Sequence, residues 1–293
     1  MIELNALERL HKSSVTATDI ASQYWCEKQM ELYKLSRAKK ATAEIKKGKA
    51  IHEMMENEVN VPIELNPKSY GDSLFKTLYT TYKSLESLGK TDRAREIQIY
   101  GSLNGFRLVG KIDEIRILKG QAVIIEDKTR SSDRVPGEAE LITHKVQVMT
   151  YKKMFDDISN GSYTFDDFKN TYGIGRLRLT DDFVKQLSDI GLDDEQKSFD
   201  YVSNKVFELY RKVNTGSSLY LRYINQFTKE EIKVLKFQYS SSEISKMLEF
   251  SLRYWKGERD ALPVPYEEKW KCNHCMFFGN DCKVWWPQRK LGE

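Results

Sequence analysis

The sequence predicts an α/β chain of the α+β kind, with a central mixed sheet flanked by helices and further helical insertions. Three observations lead there. Helical patterning fills the first ninety residues, and the apolar period then drops to two over residues 96–128, around Asn104-Gly105 and Lys119-Gly120. Helix returns afterwards, followed by a second strand pair near residues 219–239. At 293 residues the chain is long enough to bury a real core, and it is read as one unit, residues 1–293.

The elements follow in order. Thr18 or Asp19 is an expected N-cap ahead of Ile20-Ala21, and a long helix is expected over residues 41–57. Residues 96–128 read as three short strands rich in Ile, Val and Leu. Asn-Gly is the strongest short hairpin signal, and Lys-Gly a weaker one. A polar loop with Pro136-Gly137 leads into a helix over residues 139–158, and residues 163–214 are mixed but mostly helical. Strands at 219–227 and 231–239 precede a helix ending at Trp255. The tail, residues 256–293, is loop-like and carries Pro263, Pro265 and three cysteines.

Composition excludes several classes. An apolar fraction of 40% and aromatics at 12% fit neither global disorder nor a coiled coil. No apolar run approaches the ~20 residues of a membrane span. The opening Met1-Ile2-Glu3-Leu4-Asn5 has no basic region followed by an apolar one, so a soluble, intracellular, cytoplasmic chain is expected. Net charge is +4 and the pI near 8.6, which suits a polyanionic partner without requiring one. Lysines gather at Lys39-Lys40, Lys46-Lys47, Lys49 and Lys152-Lys153, each of which is ordinarily a solvated helix face.

The chemistry concentrates in Gly110-Lys111-Ile112-Asp113 and Ile124-Ile125-Glu126-Asp127-Lys128-Thr129-Arg130. Residues two apart on a strand share a face, so Glu126 and Lys128 point the same way. With Lys119-Gly120 as a two-residue turn, Leu118 pairs with Gln121, and counting back sets Asp113 opposite Glu126. Two carboxylates so placed repel unless a cation lies between them. A hard divalent ion such as Mg²⁺ (or Mn²⁺) suits carboxylate oxygens, and Lys128 could then orient water or neutralise developing charge. A solvated hairpin with ordinary cross-strand ion pairs is the plainer alternative.

Two helices could complete such a site. His52 follows Gly48 by one turn; the glycine would admit a close backbone or phosphate, and a neutral imidazole could ligate metal. A capped or solvated histidine is the commoner case. Gln147 and Tyr151, one turn apart, could hold a phosphate and stack on a nucleotide, or Tyr151 could simply pack with Val148 and Phe155.

All four cysteines have a place in one set: Cys26 alone, then Cys272-Asn273-His274-Cys275 and Cys282. In a reducing compartment metal binding is the default over disulfides. Zinc usually takes two close pairs, whereas uneven spacing suits an iron–sulfur cluster. With zinc, His274 would be a further candidate ligand.

Taken together these segments resemble the RecB-like branch of the PD-(D/E)XK nucleases, and within its iron–sulfur members the exonuclease V family. The resemblance rests on Ser14-Val15-Thr16 with Asp19-Ile20-Ala21 leading to Trp25-Cys26, on Gly48-x3-His52 and on Gly110-x2-Asp113. It continues through Glu126-Asp127-Lys128-Thr129-Arg130, Gln147-x3-Tyr151-Lys152 and Trp270-Lys271-Cys272-x2-Cys275-x6-Cys282. Each is weak alone; their order is specific.

The resemblance implies a restriction-endonuclease-like core and a metal held by His52, Asp113 and Glu126, with the Asp127 carbonyl assisting. It implies Lys128 as catalytic lysine, Gln147 and Tyr151 in support of substrate and site geometry, Arg130 toward substrate, and a [4Fe–4S] cluster on Cys26, Cys272, Cys275 and Cys282. That cluster would join the N-terminal helical part, residues 1–90, to the tail. It further implies degradation of single-stranded DNA from an end, often the 5′ end, in repair or recombination. No G-x4-G-K-[ST] motif is present, so a separate helicase or single-strand-binding protein would supply opened DNA. CRISPR-adaptation nucleases share these motifs, and a non-catalytic iron–sulfur DNA-binding module is the rival of another class.

Overall fold

The computed structural model describes residues 5–36 and 42–284. Met1 to Leu4, Lys39-Lys40, the first residue expected for the 41–57 helix and residues 285–293 lie outside them. The order is α1 (Ala6–Arg9), β1 (Val15–Thr16), α2 (Ala17–Leu35), α3 (Ala43–Asn57), α4 (Tyr70–Thr91), β2 (Arg93–Leu103), β3 (Phe106–Leu118) and β4 (Gln121–Arg130). Then come α5 (Glu138–Ser159), α6 (Phe165–Tyr172), α7 (Asp181–Asp189), α8 (Phe199–Lys212), β5 (Thr215–Asn225), β6 (Glu231–Gln238) and α9 (Ser241–Trp255). A 3-10 stretch, Tyr266–His274, enters the tail.

The sheet is mixed, as expected, and has six strands. β2, β3 and β4 form an antiparallel meander, β4 and β5 run parallel, and β6 returns antiparallel. Both tight turns are where the dipeptides put them. Asn104 and Gly105, and Lys119 and Gly120, all have positive φ, the geometry of a two-residue hairpin loop whose twist matches the strands. Leu118 pairs with Gln121 and Glu114 with Ile125, so the register sets Asp113 opposite Glu126.

Several boundaries shift. The N-cap of α2 is Thr16, not Thr18 or Asp19; Asp19 is its third helical residue and closes a reciprocal capping box with Thr16. The three strands are longer than expected, and β1, two residues parallel to β3, carries too little pattern to be read. Within α2, Cys26 has extended rather than helical backbone, so its sulfur accepts the Gln29 amide at 3.4 Å and caps the second half.

The parallel β4–β5 pair needs a crossover, and α5 to α8 supply it. α5 lies against β2, β3, β4 and β5 and also meets α2, α8 and α9. Trp255, Tyr210, Phe75, Phe155 and Phe207 are fully buried in one continuous apolar core around the sheet. No helix of the described residues is long and apolar enough to cross a membrane.

Candidate active site

Three strands carry three acids in line. Arg95 pairs with Glu114 and Ile97 with Ile112, so Glu96 stands across from Asp113 on one side, as Glu126 does on the other. Glu96 has φ +54°, a left-handed backbone unusual for glutamate, and it interrupts the ladder there. α3 closes over this row: His52 Nδ1 lies 3.4 Å from Glu96 Oε1 and 3.5 Å from Asp113 Oδ1. Ligand atoms of His52, Glu96 and Asp113 all lie within 4.8 Å of one another. Glu96 had no sequence signal, because its role comes from an irregular backbone and a neighbouring strand.

Lys128 is half enclosed beneath the row. Its ammonium donates to Glu126 Oε1 at 2.7 Å and to Gln147 Oε1 at 2.8 Å. Gln147 in turn donates to the Tyr151 hydroxyl at 2.8 Å. Tyr151 is buried against Gly110, where a Cβ would stand 2.6 Å from the ring, which explains the glycine. A ring so enclosed has no face for a nucleotide. The stacking role expected of Tyr151 is therefore replaced by support: Tyr151 holds Gln147, and Gln147 holds Lys128.

Electrostatics mark the same spot. Burial, and then the charges of Glu126 and Asp127, push the Asp113 carboxyl well above its ordinary range. Burial opposes charge on Lys128, yet Glu126 and Asp113 hold its pKa above the usual lysine value. Burial also works against ionised Glu96, but His52 and Lys111 outweigh it and bring Glu96 to about 2. Burial followed by the charges of Lys128 and Arg130 lowers His144 to about 3, so its ring is neutral beside the Tyr223 hydroxyl at 3.0 Å.

The remaining expectations divide. Asp127 turns its carboxylate to Arg95 and Arg222, leaving only its main chain toward the row. Arg130 is engaged by Glu140 at 2.7 Å rather than open to substrate. Gly48 faces Thr129, whose Oγ1 lies 2.7 Å from where a Cβ would be, so it admits a β4 side chain and not a phosphate. Lys152 and Lys153 are spent on Asp156 and Asp157 one turn on, whereas Lys46, Lys47 and Lys49 stay exposed. A groove of about 790 Å³ runs over the site between α3 and the sheet, lined among others by Lys49, His52, Asp113, Thr129 and Gln226.

Cys26, Cys272, Cys275 and Cys282 line one small enclosed pocket, shared with Trp25, Val264 and Phe278. None is in a disulfide. Burial raises the thiols of Cys26, Cys272 and Cys282.

A mixed sheet that gathers a row of carboxylates and one lysine beneath an open groove defines a nuclease. A family model described as "Exonuclease V - a 5' deoxyribonuclease" matches residues 3–122, 118–215 and 204–286. The chain belongs to the exonuclease V family, and is a DNA exonuclease. It is 25% identical to the Exonuclease V of Danio rerio over 288 residues, 92% of this chain and 70% of that protein. The crystal structure of SSO0001 aligns with a TM-score of 0.40 at 13% identity, over 93% of this chain and 91% of that one, too loosely to add to the argument.

Proposed function

We propose that the chain hydrolyses single-stranded DNA from an end with the help of a divalent cation, Mg²⁺ or Mn²⁺, in repair or recombination. The observation that carries this reading is the line Glu96–Asp113–Glu126 with Lys128 against it. The residues fit a cation: Glu126 Oε2 is buried without a hydrogen-bond partner, and His52, Glu96 and Asp113 converge on one point. His52 and Asp113 would hold it, with Glu96 and Glu126 on either side and the Asp127 carbonyl near. A bound divalent ion supplies polarisation of the scissile phosphate and a more acidic water.

The protein's own groups do the rest. Lys128, fixed by Glu126 and Gln147, presents a preorganised positive charge where negative charge grows on the phosphate. The Asp127 amide, donating to Asp113 Oδ2 at 2.7 Å, keeps that carboxylate aimed at the row.

The four thiols are proposed to hold a [4Fe–4S] cluster. All four line one small pocket, and their uneven spacing along the chain, one near the start and three in the tail, supports a cluster over zinc.

Digestion of 5′-labelled, 3′-labelled and circular single strands, with and without Mg²⁺ after chelation, tests the reading. Release of short labelled products from the 5′ end, dependent on Mg²⁺ and absent on circles, is expected. Equal cutting in chelator, or preference for intact duplex, would overturn it.

A further inference from the structure

Helix α3 is charged unevenly along its length. Glu44 stands in its first turn, Lys46, Lys47 and Lys49 follow, and Glu53 and Glu56 take its C-terminal half with Glu58 at the C-cap. Glu44 suits the macrodipole and the late acids oppose it. Three lysines against one acid make the N-terminal half the more basic end, and the Glu53–Glu56 half the acidic one. Phosphates of a bound strand would settle at the basic end.

One exposed ring stands there. Phe227, 63% exposed, sits on the β5–β6 turn next to Gln226, which lines the groove. Gln226 donates to Thr129 Oγ1 at 3.0 Å and to the Glu44 carbonyl at 3.1 Å, bridging the catalytic strand and α3. Lys47 Nζ lies 4.3 Å from the centre of the Phe227 ring. The turn is rigid. Asn225 Oδ1 accepts the Phe227 amide at 2.7 Å and the Thr228 amide at 3.2 Å, while its own amide group is tied to Asp133 at 2.7 Å. A large apolar ring held out on a fixed turn is preorganised to stack, since little freedom remains to be lost.

Resting on the single-strand reading above, we propose that Phe227 and Lys47 form a nucleotide subsite at the basic end of the groove. The ring stacks on one base of the incoming strand and the ammonium meets a neighbouring phosphate. Because every base has a π-face, the subsite grips without sequence preference. It holds the strand on the side of the row away from Glu53 and Glu56.

Single strands carrying 2-aminopurine at successive positions report stacking directly, using the full cluster-loaded chain with Lys128→Ala so that the strand survives. Quenching concentrated at one position is expected, lost in Phe227→Ala and kept in Phe227→Trp. In the cleavage-competent chain Phe227→Ala should raise KM roughly 5- to 150-fold, the range of one lost base stack, with kcat within about twofold. Lys47→Ala should lower the salt slope of binding by about one. A parent that binds and cuts single strands while Phe227→Ala matches it in quenching and KM overturns this subsite alone. A parent that does not bind single strands overturns the subsite together with the proposed function.

Discussion

The amide of Asp127 donates to Asp113 across 2.7 Å, while the Asp127 carboxylate turns to the opposite side of the sheet and is gripped by Arg95 and Arg222 at 2.7–2.8 Å. One residue thus ties the catalytic row to a buried ion network that also takes in Glu114. Arg95 is fully buried and Arg222 nearly so, and without Asp127 the two would share Glu114 as their one acid, leaving buried positive charge in excess. Asp127→Ala should destabilise the fold by about 3–5 kcal/mol in denaturant unfolding. A loss below about 1 kcal/mol would mean that the network is not what fixes β4.

The same network sets acid stability. Burial works to raise Glu114, but Arg222, Arg116 and Arg95 prevail and lower it to about 2 from 4.5. A depressed carboxyl contributes stability that is complete above its ordinary pKa and is lost as pH falls through the folded value. Unfolding free energy should therefore fall steeply between about pH 4.5 and 2, with Glu96 adding to the same window. Glu114→Gln should show a shallower pH slope there. Parallel slopes in parent and variant would refute the assignment.

Asp113 runs the other way. Its carboxyl is raised above 3.8, so the fold is favoured while Asp113 stays protonated and loses that advantage as pH climbs through the raised folded value. At neutral pH and without divalent cation, Asp113→Asn should melt higher than the parent, while cutting DNA at least 100-fold more slowly. Added Mg²⁺ should raise the melting temperature of the parent and not of the variant. A variant that melts below the parent in chelator would show that no charge crowding exists.

Much of this site was legible because a two-residue turn fixes register. Once Lys119-Gly120 is taken as the turn, Asp113, Glu126 and Lys128 follow by counting, and all three meet as counted. Glu96 was hidden, because a left-handed glutamate inside a strand has no sequence mark. Arg95 and Arg222 were hidden too: nothing local says that two arginines from distant strands will meet beneath Asp127. The two readings of Tyr151, stacking or packing, stayed open in the sequence for another reason. Its burial depends on Gly110 in a different strand, and helical spacing cannot say which neighbour fills a face.

The proposed cluster should act as a clasp rather than as a redox centre. Phosphodiester hydrolysis moves no electrons, so a redox group has no step to serve. Cys26 and the cysteines of the tail lie at opposite ends of the catalytic segment, and closing a loop of roughly 250 residues removes on the order of 5 kcal/mol of freedom from the unfolded chain. The tail is not held by thiols alone. Glu27 accepts the Leu262 amide at 3.0 Å and pairs with Arg259, and the Lys28 amide donates to the Leu262 carbonyl at 3.0 Å. Beyond residue 262 the Lys271 ammonium reaches the Trp25 carbonyl at 3.2 Å, the Val264 backbone meets Cys26, and Trp270 and Phe277 pack edge-on against Trp25 and Tyr33. Cys275→Ala should thus lose the brown absorbance, melt lower, and open residues 266–284 to protease while the chain up to about residue 262 stays protected. DNA cutting should weaken only as far as that loosening allows. A cluster-free variant that melts like the parent and resists protease, yet cuts no DNA, would replace the clasp with a direct hold of the cluster on the strand.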